Sequence, residues 1–270
     1  MDKVRAPAVA GMFYPAATAE LAREVRALLA RAAPSTASAS APPKAIIAPH
    51  AGYIYSGPIA ATVYARLAPA RRQIKRVVLL GPAHRVPLRG LALPSAQEFA
   101  TPLGAVPLDA AAIEQIAALP QVTTSANAHA FEHALEVQLP FLQTVFEEFS
   151  LVPLVVGDAG AEEVAQVLDV LWGGDETLIV ISSDLSHYLN YADAQAIDRA
   201  TAQAILDLST HISHRQACGG TPVNGLLLAA RRRGLRPELL DLRNSGDTAG
   251  DRQRVVGYGA FAFYETSHAH

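Results

Sequence analysis

The sequence predicts an α/β fold: one domain over residues 1–270, with a mainly parallel or mixed β-sheet flanked by helices on both faces. Three observations carry this prediction. Short apolar runs without polar alternation recur along the chain, as strands buried on both faces require. Longer stretches with apolar residues three and four positions apart separate them, which suits the crossover helices between parallel strands. Half of the 270 residues are hydrophobic and 17% are charged, so a sizeable core can be buried in one large α/β unit.

The elements follow in order. Leu21, Val25, Leu28 and Leu29 recur at helical spacing and predict a helix over 18–30. Residues 32–43, Ala-Ala-Pro-Ser-Thr-Ala-Ser-Ala-Ser-Ala-Pro-Pro, have no hydrophobic period and read as an exposed loop. Strands are expected at 45–48, 76–80, 151–156, 177–182, 239–242 and 255–264, each an apolar run bounded by polar or turn residues. Helices are expected at 58–67, 109–118, 135–149, 161–171, 192–208 and 223–233. The run Arg231-Arg232-Arg233 falls on the solvated last turn of the last of these, with Gly234 behind it as a stop signal. Residues 266–270 form a tail, and no internal repeat is present.

Composition narrows the function classes. The formal net charge of -3 is scattered along the chain, with no basic block beyond the three arginines, so nucleic acid and anionic membrane are poor partners. Asp2, Lys3 and Arg5 lead into no apolar core, and no run approaches the roughly 20 apolar residues of a span, so neither a signal peptide nor an anchor is expected. Cys218 is the single cysteine, which rules out an intramolecular disulfide and leaves the cytoplasm as the default location. Gly-Gly-Thr-Pro after Cys218 and Asn-Ser-Gly-Asp at 244–247 lack the spacing of a nucleotide-phosphate loop.

Three predicted strands break directly into titratable residues: Ala-Ile-Ile-Ala-Pro-His50, Val-Val-Leu-Leu-Gly-Pro-Ala-His84, and Leu-Ile-Val-Ile-Ser-Ser-Asp184-Leu-Ser-His187. Open α/β sheets bind ligands beyond the carboxyl ends of their strands, so the three termini can share one site. One histidine at a strand end is ordinarily a hydrogen-bonded structural residue; recurrence at three strand ends is what favours function. Small residues flank His50, and the bland reading there is a turn before the helix at Pro58.

Asp184 and His187 are neighbours if their turn is helical, a pair that can set an imidazole for proton transfer or metal binding; the alternative is that Asp184 caps a helix. Cys218 precedes a helix whose dipole favours a thiolate, against the alternative of an inert small core residue. Glu132 and Glu136 can share one helical face with His133 beside them, as support for a site or as a solvated helix start. His129 has less support, and His211, His214, His268 and His270 lie in polar or terminal segments.

Six ordered motifs resemble the Memo family, which is similar in fold to the class III extradiol ring-cleaving dioxygenases. They are Pro7-Ala-Val-Ala-Gly-Met-Phe-Tyr-Pro15, Pro49-His-Ala-Gly-Tyr53, Leu80-Gly-Pro-Ala-His84, Glu132-His-Ala-Leu-Glu136, Ser182-Ser-Asp-Leu-Ser-His-Tyr188 and Cys218-Gly-Gly-Thr-Pro222. The resemblance implies one metal ion held by His50, His84 and Cys218, with Asp184 and His187 beside it as the catalytic pair and Tyr53, Glu132, His133 and Glu136 as supporting or pocket residues. In the ring-cleaving relatives the position of Cys218 is a carboxylate. A thiolate there suits iron, copper(I) or zinc, so ring cleavage does not carry over by itself.

Three functions compete. The first is a mononuclear metal-dependent oxidoreductase, iron before copper, acting on an unidentified small molecule or peptide. The second is a zinc-dependent hydrolase with His187 as base. The third is a non-enzymatic protein- or peptide-binding module that retains the pocket. Neither the substrate nor the oligomeric state is legible in the sequence.

Overall fold

The computed structural model describes residues 3–33 and 41–266. Its strands are β1 (Val4–Arg5), β2 (Ala45–Ala48), β3 (Arg76–Pro82), β4 (Leu91–Leu93), β5 (Glu98–Thr101), β6 (Gly104–Pro107), β7 (Val122–Thr124), β8 (Ser150–Val156), β9 (Thr177–Ser182), β10 (His187–Leu189), β11 (Arg236–Asn244) and β12 (Val255–Tyr264). Its α-helices are α1 (Thr18–Ala32), α2 (Tyr53–Tyr64), α3 (Ala110–Ala117), α4 (Ala126–Ala130), α5 (His133–Glu136), α6 (Leu139–Val145), α7 (Ala161–Leu171), α8 (Tyr191–Leu206) and α9 (Gly220–Arg232). No described helix is long and apolar enough to cross a membrane.

Nine strands form one mixed sheet in the order β10-β12-β2-β9-β3-β8-β4-β7, with β11 also on β12. Its centre, β2-β9-β3-β8, is wholly parallel, and antiparallel pairs enter at β12 and at β4. Alternation along the parallel strands explains why helices cover both faces. Ile46, Val77, Leu79, Leu178 and Val180 enter one apolar cluster together with residues of α1, α2 and α6. Their neighbours Ile47, Val78, Leu80, Ile179 and Ile181 enter a second with residues of α3, α7, α8 and α9. Each parallel strand is therefore apolar through its middle without polar alternation, because both pleat faces are dry.

The α/β expectation holds, with three differences in detail. The predicted helix at 58–67 starts earlier, as α2 at Tyr53, with Pro58 inside it; the carbonyl deprived of its donor belongs to Ile54, which is 66% exposed and open to water. The predicted helix at 135–149 is two pieces. Glu132 caps α5 through the Ala134 N–H, and Pro140 near the start of α6 cannot continue a ladder from α5. A small sheet, β1-β5-β6, and the short strands β4, β7 and β10 were not foreseen, since two to four residues are too few for a period. Arg231 to Arg233 do end α9: Arg232 pairs with Glu162 and Arg233 with Asp169, and Gly234 follows at a φ of 67°. The expected loop at 32–43 falls mainly on residues 34–40, and the tail on 267–270, both outside the described residues.

Candidate metal centre

Parallel pairing places the carboxyl ends of β2, β9 and β3 side by side, with Ala48 opposite Ser182 and Leu80 opposite Ile181. Two residues beyond those ends stand His50, Asp184 and His84. The His50 and His84 ring centroids are 5.2 Å apart. His133, at the start of α5, completes a group of three imidazoles whose ligand atoms all lie within 4.8 Å of one another. Its ring stacks on His84 at 4.6 Å and meets His50 edge-on at 5.4 Å. Gly81 makes this possible: a Cβ there would lie 3.0 Å from Leu135 and 3.1 Å from Ala134, so a side chain would hold α5 away from the end of β3.

Hydrogen-bond accounting assigns the tautomers. The Ser182 hydroxyl has one proton and donates it to the Ala134 carbonyl at 2.6 Å. Ser182 Oγ must then accept both from Gln138 Nε2 at 2.8 Å and from His50 Nδ1 at 2.9 Å. His50 thus carries its proton on Nδ1 and leaves the Nε2 lone pair bare. Gln138 is itself fixed, accepting from Tyr64 and donating to the Pro49 carbonyl at 3.0 Å. The same logic applies to His84, whose Nδ1 lies 2.9 Å from Glu132 Oε1. A carboxylate only accepts, so Nδ1 of His84 carries a proton and Nε2 is the ring nitrogen left for a ligand. Glu132 takes the His84 backbone N–H at 2.7 Å and the Ala134 N–H at 2.9 Å as well.

The electrostatics point the same way. Burial, followed by neighbouring His84, lowers the His50 pKa to about 3. Burial, followed by His50, lowers that of His133 to about 4. Both rings are therefore neutral, as metal ligands must be. Burial alone would raise Glu132, but the hydrogen bond and charge of His84 outweigh it and hold the carboxyl at about 2. Asp184 accepts the His50 backbone N–H at 2.7 Å, and its burial raises its pKa against the pull of His187.

Cys218, expected as a ligand with His50 and His84, touches His50 but does not belong to the three-imidazole group. Its Sγ is 3.3 Å from His50 Nε2. Two ligands of one ion at about 2.0–2.3 Å stand roughly 3.3–3.6 Å apart, so this pair is already at a shared-ligand distance. Gly219 permits the approach, since a Cβ there would sit 2.7 Å from Ser183. The thiolate expected from the α9 dipole is not what the surroundings favour in the absence of a cation: close packing, and after it the Asp184 carboxylate, push the thiol up to about 12.

Other expectations are redistributed. The segment after Asp184 is not helical, so Asp184 caps no helix. His187 Nδ1 is held by the Leu185 carbonyl at 2.9 Å, where Asp184 had been expected to orient the ring. Glu132 and Glu136 part company: Glu136 binds Arg5, Tyr14 and the N–H groups of Ala8 and Val9, and thereby ties down the N-terminal segment. That segment delivers Phe13, whose ring packs on His133 at 4.8 Å. Tyr53 is buried and donates to the Val137 carbonyl at 2.7 Å. His129 is structural, with Nε2 on the Ala92 carbonyl. Ser182, Gln138 and Phe13 were not singled out, although all sit in or beside the quoted motifs; Tyr188 and Arg254 were missed too. A cleft of about 730 Å³ opens over the imidazoles, lined also by Asp184, His187, Tyr188, Arg254 and Tyr258, a size suited to a small organic ligand.

Comparison with known proteins places these features in context. A family model described as Memo-like protein matches residues 5–262. A MEMO1 family protein of Aquifex aeolicus is 37% identical, covering 97% of this chain and 99% of that relative. Those of Archaeoglobus fulgidus and Nitrosopumilus maritimus are 34% and 31% identical, each covering 96% of this chain and 99% of the relative. An uncharacterized protein of Escherichia coli K12 has a similar fold, with a TM-score of 0.50 and 16% identity over 79% of this chain and 98% of that one.

Proposed function

The chain belongs to the Memo-like protein family, and from that premise we propose that it is a mononuclear metal-dependent oxidoreductase, with iron first among the metals and copper or zinc as alternatives. The observation that carries this reading is the pair of imidazoles, His50 and His84, whose Nδ1 atoms are committed to Ser182 and Glu132, so that both leave Nε2 for a ligand at one sheet edge. Metal-ligating histidines are ordinarily held in this way through the other ring nitrogen. Cys218, beside His50 Nε2, is the proposed third ligand, and His133 is the competing one. When bound, an iron ion with open positions would supply one-electron chemistry toward dioxygen or another redox partner.

The chain's own residues have separate tasks. Glu132 and Ser182 hold the ligand rings in one tautomer. Asp184 clamps the peptide of His50. His187 donates Nδ1–H to the Leu185 carbonyl, which leaves its Nε2 to accept or return a substrate proton in the cleft. Phe13 packs on His133, and with Tyr258 it gives the cleft part of its apolar wall.

A zinc-dependent hydrolase is the second reading, favoured by the three-imidazole group, a donor set common at catalytic zinc. Metal analysis of anaerobically purified protein, with spectroscopy of any iron, separates the two. One iron per chain, lost in His50→Ala and His84→Ala, is expected. One zinc with no redox response would move the protein to the hydrolases. Failure to retain any transition metal after anaerobic loading would overturn both and favour a binding module.

A further inference from the structure

The cleft has one wall whose backbone pays a conformational cost. Tyr188 has a φ of 61°, in the left-handed region that bulky aromatic residues avoid. It is the extra residue of a β-bulge, since His187 pairs with Val256 while Leu189 pairs with the adjacent Val255. Consecutive side chains of a regular strand point to opposite faces. Here His187 and Tyr188 both line the cleft, which the bulge allows. Tyr188 is left 64% exposed, an arrangement the core does not require.

Arg254 completes this wall. Its guanidinium lies over the Tyr188 ring, 5.1 Å from the centroid. Among the described residues it is the single lysine or arginine lining the cleft, and it makes no ion pair, unlike Arg232, Arg233 and Arg243. Asp251, which also lines the cleft, spends one oxygen on the backbone N–H groups of Gln253 and Arg254. A stacked guanidinium keeps its N–H edge free, and that edge matches a carboxylate in a two-point bond.

We propose that Tyr188 and Arg254 select planar substrates that carry a carboxylate at the end remote from the metal-binding head, the ring meeting the flat face and the guanidinium taking the charge. This rests on the reading of the imidazole group as a metal site. The test compares two probes on the zinc-loaded protein by calorimetry: benzohydroxamate, and 4-carboxybenzohydroxamate, which adds the remote carboxylate. The wild type is expected to favour the carboxylated probe by about 10-fold to 100-fold, the range of a charge-assisted bond. Arg254→Gln should bring the ratio to about one, and Arg254→Lys, which keeps the charge without the fork, should fall between. A second arm compares benzoate with benzamide on the metal-free protein, read by chemical-shift changes, and expects a preference for benzoate that Arg254→Gln removes. Hydroxamate binding with a ratio near one, or a ratio that survives Arg254→Gln, overturns the proposal and leaves the metal site standing. Absence of hydroxamate binding with an Arg254-dependent benzoate preference supports the wall and sinks the metal site.

Discussion

Replacing Glu132 with Gln removes one charge and alters almost no volume, yet its consequences can be worked out atom by atom. The carboxylate accepts three hydrogen bonds: His84 Nδ1–H at 2.9 Å and the Ala134 N–H at 2.9 Å on Oε1, and the His84 backbone N–H at 2.7 Å on Oε2. A carboxamide has one accepting oxygen. With that oxygen in the Oε1 position, the NH₂ group faces the His84 backbone N–H. Turned round, it faces Nδ1 and the Ala134 N–H, and Nδ1 can be satisfied only by moving the His84 proton to Nε2, the atom needed for the metal. Either arrangement sets donor against donor in a buried place, which costs about 1–3 kcal/mol. Loss of an outer carboxylate partner typically weakens metal binding 10-fold to 100-fold, or about 1.4–2.7 kcal/mol. The assay is chelator competition with zinc and cobalt(II), alongside thermal unfolding of the metal-free proteins. Glu132→Gln is expected to lose metal affinity by that factor and some metal-free stability. Wild-type affinity in a folded Glu132→Gln protein would refute the tautomer argument and remove His84 from the ligand set.

Further outcomes follow from the same geometry. Metal binding through Cys218 should release about one proton, because the thiol is otherwise held up at about 12; calorimetry in buffers of different ionisation enthalpy reads it, and Cys218→Ala should abolish both the release and tight binding. Tight binding without proton release would assign the third position to His133, which is already neutral. In the metal-free protein, His50, His129 and His133 have pKa values lowered from 6.5 to about 3, 4 and 4, largely by burial. Between pH 6.5 and about 4 the unfolded chain binds protons that the folded one refuses. Stability should therefore fall with pH, by up to about 1.4 kcal/mol per unit for each histidine, as measured by urea unfolding across that range; a flat profile would contradict neutral burial. His187→Ala should keep its metal and lose roughly 100-fold to 10,000-fold in turnover, with stopped-flow reaction of the reduced centre with dioxygen as the accessible measurement. Loss of metal from this variant would make His187 a ligand instead.

Much of this was legible in the sequence, and for a definite reason. Strands buried on both faces must be apolar at every position, so β2, β9 and β12 appear with their observed limits, and the break into His50, His84 and Asp184 marks the strand ends. Parallel pairing then leaves no freedom about which edge those residues share. The ordered motifs carried the family for the same kind of reason, being local runs that survive without knowledge of contacts.

What only the tertiary structure decided lies in contacts between segments remote in sequence. His133 was expected as support and stands among the three imidazoles that could hold a metal ion, because Gly81 lets α5 descend onto the end of β3. Glu132 and Glu136, four residues apart, serve different partners because α5 is a single turn wedged between the site and the N-terminal segment. The tautomers of His50 and His84 depend on one hydroxyl proton and one carboxylate, and Tyr188 meets Arg254 across a bulge that no periodicity announces. Periodicity reports which face of an element is dry, whereas hydrogen-bond direction and charge depend on which groups folding brings within about 3 Å, and that information exists only once the chain has closed on itself.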